Sequence, residues 1–412
     1  MNRFGGLATG AGNEPEDEES QIAGKRSGLG RSRFRLLRRS PLSARSKKAR
    51  RDEVAEPRIS RLRQAGGLIV DESAALAAGV LHRRTPRLAS TLHRLDNFVG
   101  RPLQQLFPSD HSLPGVEATA RWSHQGLRCD ALRFASSYVP LDPGFRDRYA
   151  SDGDENDFVH IRSFRHLDHS ARGTMIYLHA WMQPYTLWEE RVMLPNVARR
   201  LKVDVLRMDL PYHRRRKPRR SLYSGEYFWS ADMVRSVEAL RHAVHDVRSL
   251  ITWLENEGRG PVGIAGISLG GLVTMWTLCV DDRLAWAIPM MAHTDTSAVL
   301  RRGSIVATLR QRLADEGWRA EDAELYAESI GISKLEPRID PERIQMVAGL
   351  YDRFFRRQDT ITQWKRWGQP HLHWLPTGHL GAFPYLAGPM PELGLFLGST
   401  QARDAVGSVR PK

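Results

Sequence analysis

The sequence predicts an α/β protein with a mostly parallel central sheet, helices on both faces of that sheet, and a helical lid. Three observations carry this prediction. From about residue 126 onward, short apolar runs alternate with stretches of helical periodicity. One such run passes through Gly266-Ile267-Ser268-Leu269-Gly270 directly into a helical stretch. Two later apolar runs end in loops that carry Asp352 and His379. Strands buried on both faces read as continuous apolar segments rather than as alternating ones, and helical stretches between them imply parallel crossovers.

The 412 residues carry a net charge of +14, unevenly spread. Residues 25–51 hold 12 Lys/Arg and no acid. Too little apolar surface is available there to offset the entropy of ordering, so residues 1–65 read as a disordered basic tail. Residues 66–124 form an N-terminal helical segment. Leu68, Val70, Ala74, Leu76, Val80 and Leu81 recur at helical spacing there, followed by Leu88, Leu92, Leu95 and Val99. Residues 125–412 hold the sheet. Leu127–Phe134 and Phe158–Phe164 read as antiparallel strands. Thr174–Leu178, Val203–Met208, Val262–Ala265, Trp286–Met291, Ile344–Ala348 and His371–Leu375 follow as the next strands. A long helix is expected over 231–256, where apolar residues return every three or four positions. Residues 296–343 exceed what one crossover needs. They contain helical stretches at Ala298–Leu313 and Ala320–Ile330, which suit a lid insertion.

The Gly-x-Ser-x-Gly pentapeptide matters because of its setting. A serine on a sharp strand-to-helix turn needs minimal side chains two residues away on each side, and Gly266 and Gly270 provide that clearance. The hydroxyl is then exposed, and the Leu269 N–H points to where an oxyanion forms. A nucleophilic serine needs a base and an acid. His379 follows Thr-Gly in a loop, and Asp352 ends an apolar run. The chain order Ser268, Asp352, His379 suits a Ser-His-Asp relay. Asp295 at the end of the earlier strand is the alternative acid. Asp359 falls on the following helix, and His371 and His373 lie within a strand.

These residues together resemble the alpha/beta-hydrolase superfamily, over roughly residues 125–398. Two further segments share the resemblance. Met175 to Trp181 reads Met-Ile-Tyr-Leu-His-Ala-Trp, a strand ending where the family usually has His-Gly-x. Arg207 to His213 matches the exit of the next strand, where the chain crosses the top of the sheet. The resemblance implies that the Trp181 N–H is the second oxyanion donor beside Leu269. It places His179 in a loop at the top of the sheet, where it is expected to line the substrate site.

Six of the seven residues from Arg214 to Arg220 are basic. At the carboxyl end of the strands, Arg214, Arg215 and Arg216 are expected to bind or steer an anionic substrate. The expected activity is hydrolysis of a carboxylic ester, anionic or lipid-like, through an acyl-enzyme. A peptidase, a thioesterase, an acyltransferase with the same triad, and a non-catalytic binding protein are the alternatives. No cofactor is expected. Cys129 and Cys279 are the two cysteines and lack metal-binding spacing, so no metal is expected either. No apolar run reaches the ~18–20 residues of a membrane span, and the N-terminus lacks the order of a signal peptide. A cytoplasmic protein is therefore expected. Its expected partner is a small ester, not nucleic acid, and peripheral contact with an anionic membrane stays open.

Overall fold

A computed structural model describes residues 61–84, 92–108, 113–151, 154–183, 187–319, 321–387, 394 and 396–399. The basic tail falls outside them up to residue 60, as does Leu88. The described residues form a nine-stranded sheet in the order β1-β2-β3-β5-β4-β6-β7-β8-β9. Its strands are β1 (Glu117–His124), β2 (Leu127–Ala135), β3 (Phe158–His166), β4 (Thr174–Leu178), β5 (Asp204–Met208), β6 (Val262–Ile267), β7 (Trp286–Met290), β8 (Gln345–Gly349) and β9 (His371–Leu375). The first three are antiparallel neighbours, and β5 runs antiparallel to β3. All pairings from β5 through β4 to β9 are parallel. This is the predicted α/β architecture.

The parallel strands β4 to β8 are buried at every position, because helices cover both faces. On one side lies α5 (Met233–Asn256), whose Val237, Leu240, Val244, Val247, Ile251 and Leu254 join the larger core cluster. The Asp232 side chain caps its start by accepting the Arg235 N–H at 3.1 Å. Next to it runs α6 (Leu269–Val280), apolar all round and buried throughout. The smaller core cluster lies on the other face of the sheet, where Tyr177, Val205, Ala265 and Ile288 meet Leu194 and Ala198 of α4 (Leu194–Leu201). Short helices α2 (Leu103–Leu106) and α3 (Pro143–Ser151) precede these.

Strand β4 sits between β5 and β6, so the strand order reverses there. A crevice opens at such a switch point beyond the carboxyl ends of the strands. The turns after β4 and β6 therefore face each other, and they carry Ala180-Trp181 and Ser268.

Two features depart from the expectation. Strand β1 falls within the segment read as helical. It is an edge strand with seven of its eight residues exposed, so burial left no pattern in its sequence. The stretch expected as one helix over Ala298–Leu313 is two, α7 (Thr296–Arg302) and α8 (Ala307–Asp315). Gly303 ends the first. A Cβ there would lie 2.6 Å from the Val299 carbonyl oxygen, so this close cap admits only glycine. The third helix of the insertion is α9 (Asp322–Ile330). Further on, α10 (Arg357–Arg366) and α11 (Ala382–Ala387) flank β9.

Helix α1 (Arg61–Arg84) stands apart from the sheet and packs against α8. Its inner face carries Gly67, Asp71, Ala74, Ala75 and Ala78, positions that repeat at three- and four-residue spacing. Its outer face exposes Ile69, Leu76 and Val80.

Candidate active site

Ser268 stands between β6 and α6 with φ 55° and ψ −111°. A side-chain-bearing residue in that region is strained, and the surroundings fix it there. Its N–H donates to the Met290 carbonyl at 2.9 Å. The flanking glycines are sterically required. A Cβ at Gly266 would lie 2.2 Å from the Gly270 oxygen, and one at Gly270 would lie 2.2 Å from the Leu178 oxygen. Both neighbours are backbone and cannot rotate away. The Gly270 N–H also donates to the His179 carbonyl at 3.1 Å, which ties the turn after β6 to the turn after β4.

His379 Nε2 is 3.0 Å from Ser268 Oγ. Its other ring nitrogen, Nδ1, is 2.7 Å from Asp352 Oδ2. The second carboxylate oxygen of Asp352 accepts the N–H groups of Phe354 (2.8 Å) and Phe355 (3.0 Å). The carboxylate thus has one oxygen held by backbone and the other free to orient the imidazole. A carboxylate at Nδ1 fixes the proton there and leaves Nε2 as the acceptor for the serine hydroxyl. Burial opposes charge on His379. The Asp352 carboxylate, through its charge and hydrogen bond, and then Asp71 more than offset this and raise the imidazole above its ordinary range.

Asp352 and not Asp295 therefore meets His379. Asp295 caps α7, where its carboxylate accepts the Ala298 N–H at 2.8 Å. Asp359 lies in the first turn of α10.

Ser268 and His379 open into a cavity of about 270 Å³. Its walls come from α1 (Ala74, Ala78, Leu81), the β4 turn (Trp181, Met182), and the helices after β7 (Val299, Leu300, Leu309). Among the described residues, no Asp, Glu, Lys or Arg side chain lines it. Leu269 and Trp181 both do. The Trp181 indole N–H donates to the Gly225 carbonyl at 2.9 Å, which holds the ring against the cavity wall. His293, also on the wall, is held neutral. Burial, with the nearby His379 charge adding to it, pushes its imidazole down to about 4.

The other expected substrate contacts are not in this cavity. His179 is fully buried behind its wall. The Nε2 atom accepts the Leu210 N–H at 3.1 Å and Nδ1 faces the Ala180 carbonyl at 2.8 Å. Both nitrogens are committed to backbone, so His179 ties the β4 turn to the β5 exit. Burial and the Arg207 charge push it well below the ordinary histidine range. The arginine cluster also departs from expectation. Arg216 is 0% exposed. It pairs with Asp246 of α5 at 2.8 Å and donates to the carbonyls of Asn156 (2.9 Å) and Asp209 (3.2 Å). Arg214 faces Asp209 at 3.5 Å and Glu190 at 3.8 Å. Arg215 is exposed. None of the three lines the cavity. A buried cation needs a buried anion, and the sequence shows the charge run without showing its partners.

Asp71 was not foreseen. It reaches the His379 loop from α1, more than three hundred residues away in sequence. The available signal was an acid on the alanine-rich face of α1, next to the half-buried Glu72 and the exposed Ser73. Among the described residues, no group of three or more His, Cys, Asp or Glu side chains gathers to hold a metal ion. Both cysteines are free and buried. No helix among them is long and apolar enough to cross a membrane.

The chain is similar to known proteins at two levels. The family model described as alpha/beta hydrolase domain containing 18 matches residues 185–330, a span that holds Ser268 but neither Asp352 nor His379. An uncharacterised protein of Mycobacterium tuberculosis is 28% identical over 185 residues, which is 44% of this chain and 43% of that protein. The chain thus spans less than half the length of the curated relatives it matches. Among solved structures, an acetyl xylan esterase from Paenibacillus sp. R4 superposes with a TM-score of 0.51 at 13% identity, covering 77% of this chain and 98% of that one. Acetyl xylan esterase 1 from Thermoanaerobacterium sp. JW/SL YS485 gives 0.49 at 14%, covering 76% and 98%. At such identity the likeness to the Paenibacillus enzyme speaks for the fold alone, and the chain has the alpha/beta-hydrolase fold.

Proposed function

We propose that the protein hydrolyses carboxylic esters with an apolar acyl group through a covalent intermediate on Ser268. One observation carries this reading. The Ser268–His379–Asp352 chain, with links of 3.0 and 2.7 Å, opens into a cavity with an apolar lining. In the proposed reaction Ser268 Oγ attacks the ester carbonyl carbon while His379 Nε2 takes the hydroxyl proton. The N–H groups of Leu269 and Trp181 accommodate the oxyanion, each worth on the order of 3 kcal/mol. Collapse breaks the carbon–alkoxy bond, and His379 returns the proton to the departing alcohol. A water then attacks the acyl-serine, with His379 again taking the proton, and the acid leaves as Ser268 is restored. Asp352 stabilises the imidazolium in both steps.

The helices α7, α8 and α9 serve in this reading as the lid that shapes the acyl pocket. An uncharged lining disfavours a charged acyl group, since a buried ion without a partner costs several kcal/mol. Nitrophenyl esters from acetyl to decanoyl test the proposal. A multi-carbon acyl chain is expected to raise kcat/KM well above the acetyl value, and Ser268→Ala is expected to abolish turnover. Equal turnover of wild type and Ser268→Ala would overturn it.

A further inference from the structure

Helix α1 touches the site at its base as well as at its wall. Asp71 is 0% exposed. Its Oδ2 accepts the His379 N–H at 2.8 Å and the Arg353 N–H at 3.2 Å. Its Oδ1 accepts the Leu380 N–H at 3.1 Å. One carboxylate thereby joins the loop that carries Asp352 to the loop that carries His379. The helix backbone comes equally close. A Cβ on Gly67 would lie 3.0 Å from the Gly378 nitrogen, and one on Gly378 would lie 2.8 Å from the Asp71 carboxylate. At the rim, Arg353 pairs with Glu72 of α1 at 3.5 Å.

We infer that α1 is a working part of the site, with Asp71 as a positioning residue that clamps the backbone on both sides of the His379–Asp352 pair. The inference rests on the proposed role of His379 as the base. Three charge-assisted hydrogen bonds to loop backbone are strong individually and fix the loop more narrowly together. A catalytic base displaced by 1 Å loses rate heavily, so the clamp acts on kcat. It also acts on the imidazole through charge. The titratable groups that face His379 are Asp352 at Nδ1, Asp71 beneath its backbone, and His293 across the cavity. Asp71 adds to the effect of Asp352 in favouring the imidazolium, whereas His293 is neutral near pH 7 and adds no charge there.

The test compares Asp71→Asn, Asp71→Glu and Gly378→Ala in the full chain. Two readouts are used, the pH profile of nitrophenyl ester turnover and the titration of the His379 ring by NMR, assigned with His379→Gln. Asp71→Asn is expected to lower plateau kcat by about tenfold to a hundredfold. It is also expected to shift the acid limb and the ring titration down, with KM little changed. Asp71→Glu keeps the charge and should leave the limb near the wild-type position. Gly378→Ala pushes the carboxylate off the loop without removing its charge, so kcat falls while the limb moves less than in Asp71→Asn. Loss of melting temperature alone, with the limb, the ring titration and kcat unmoved in the folded variants, overturns the inference. The ring titration also separates this inference from the proposed hydrolysis. If wild type turns over no ester yet the ring titration falls in Asp71→Asn, the clamp stands and the proposed reaction fails.

Discussion

Arg216 and Arg215 are neighbours in one basic run, yet their removal should have opposite consequences. Arg216→Met leaves the Asp246 carboxylate, also 0% exposed, without its guanidinium. What remains around Asp246 is the Ser136 hydroxyl at 2.5 Å and the His242 ring at 3.1 Å. His242 is a weak substitute for the lost cation, because burial, the largest cause that pushes its imidazole down to about 4, remains once the Arg216 charge that adds to it is gone. The Asn156 and Asp209 carbonyls also lose a donor. Breaking a buried ion pair from one side costs about 3–5 kcal/mol. For a domain of this size that is roughly a 10 °C fall in Tm. Arg215→Met removes an exposed side chain and should change stability by less than about 0.5 kcal/mol. Thermal unfolding of the two variants beside wild type is the assay, with turnover of a matched anionic and neutral ester at low and high salt. Neither variant is expected to change the anionic-to-neutral ratio, since neither residue lines the cavity. Equal stability of the two variants would refute the structural reading of Arg216, and a salt-screened loss of the anionic ester alone would restore a steering role.

Three more expectations follow from the same geometry. Asp352→Asn should cut kcat by about 10⁴-fold through loss of tautomer control, whereas Asp295→Ala should leave turnover intact and cost about 1 kcal/mol as a lost helix cap; steady-state kinetics and urea unfolding of both distinguish the acids. Gly270→Ala forces a Cβ against the Leu178 oxygen at 2.2 Å and should cost about 1–3 kcal/mol or more, measured as a lower urea midpoint with turnover lost. His213 and His293 are buried neutral, each pushed down to about 4 chiefly by burial. The unfolded chain takes up their protons below about pH 6.5 while the folded one does not. Their stabilisation is full above that pH and fades by a few kcal/mol each toward pH 4, and His293→Phe should flatten that part of a urea-midpoint profile against pH.

The sequence was legible where chain neighbours dictate chemistry. Ser268 could be read because its constraints, Gly266 and Gly270, lie two residues away. Asp352 and His379 could be read because parallel strands deliver their exits to one end of the sheet, and β8 and β9 were visible as apolar runs. What could not be read depends on contacts distant along the chain. Nothing near Arg216 reveals that Asp246 waits on α5 to bury it, so its charge looked like surface. His179 looked like a ligand for substrate because a loop histidine carries no sign that backbone occupies both of its nitrogens. Asp71 meets backbone far along the chain, and only the small residues that share its helix face, Gly67, Ala74, Ala75 and Ala78, hinted at a buried partner. Strand β1 escaped because an exposed edge strand has no buried face to impose a period.

In the proposed reaction Ser268 is a nucleophile activated by His379. Mass spectrometry of the fluorophosphonate adduct tests it most directly. One adduct per chain is expected, mapped to the peptide that contains Ser268, abolished in Ser268→Ala and slowed by orders of magnitude in His379→Gln. An adduct on another residue, or labelling of Ser268 that is as fast without the His379 imidazole, would contradict it.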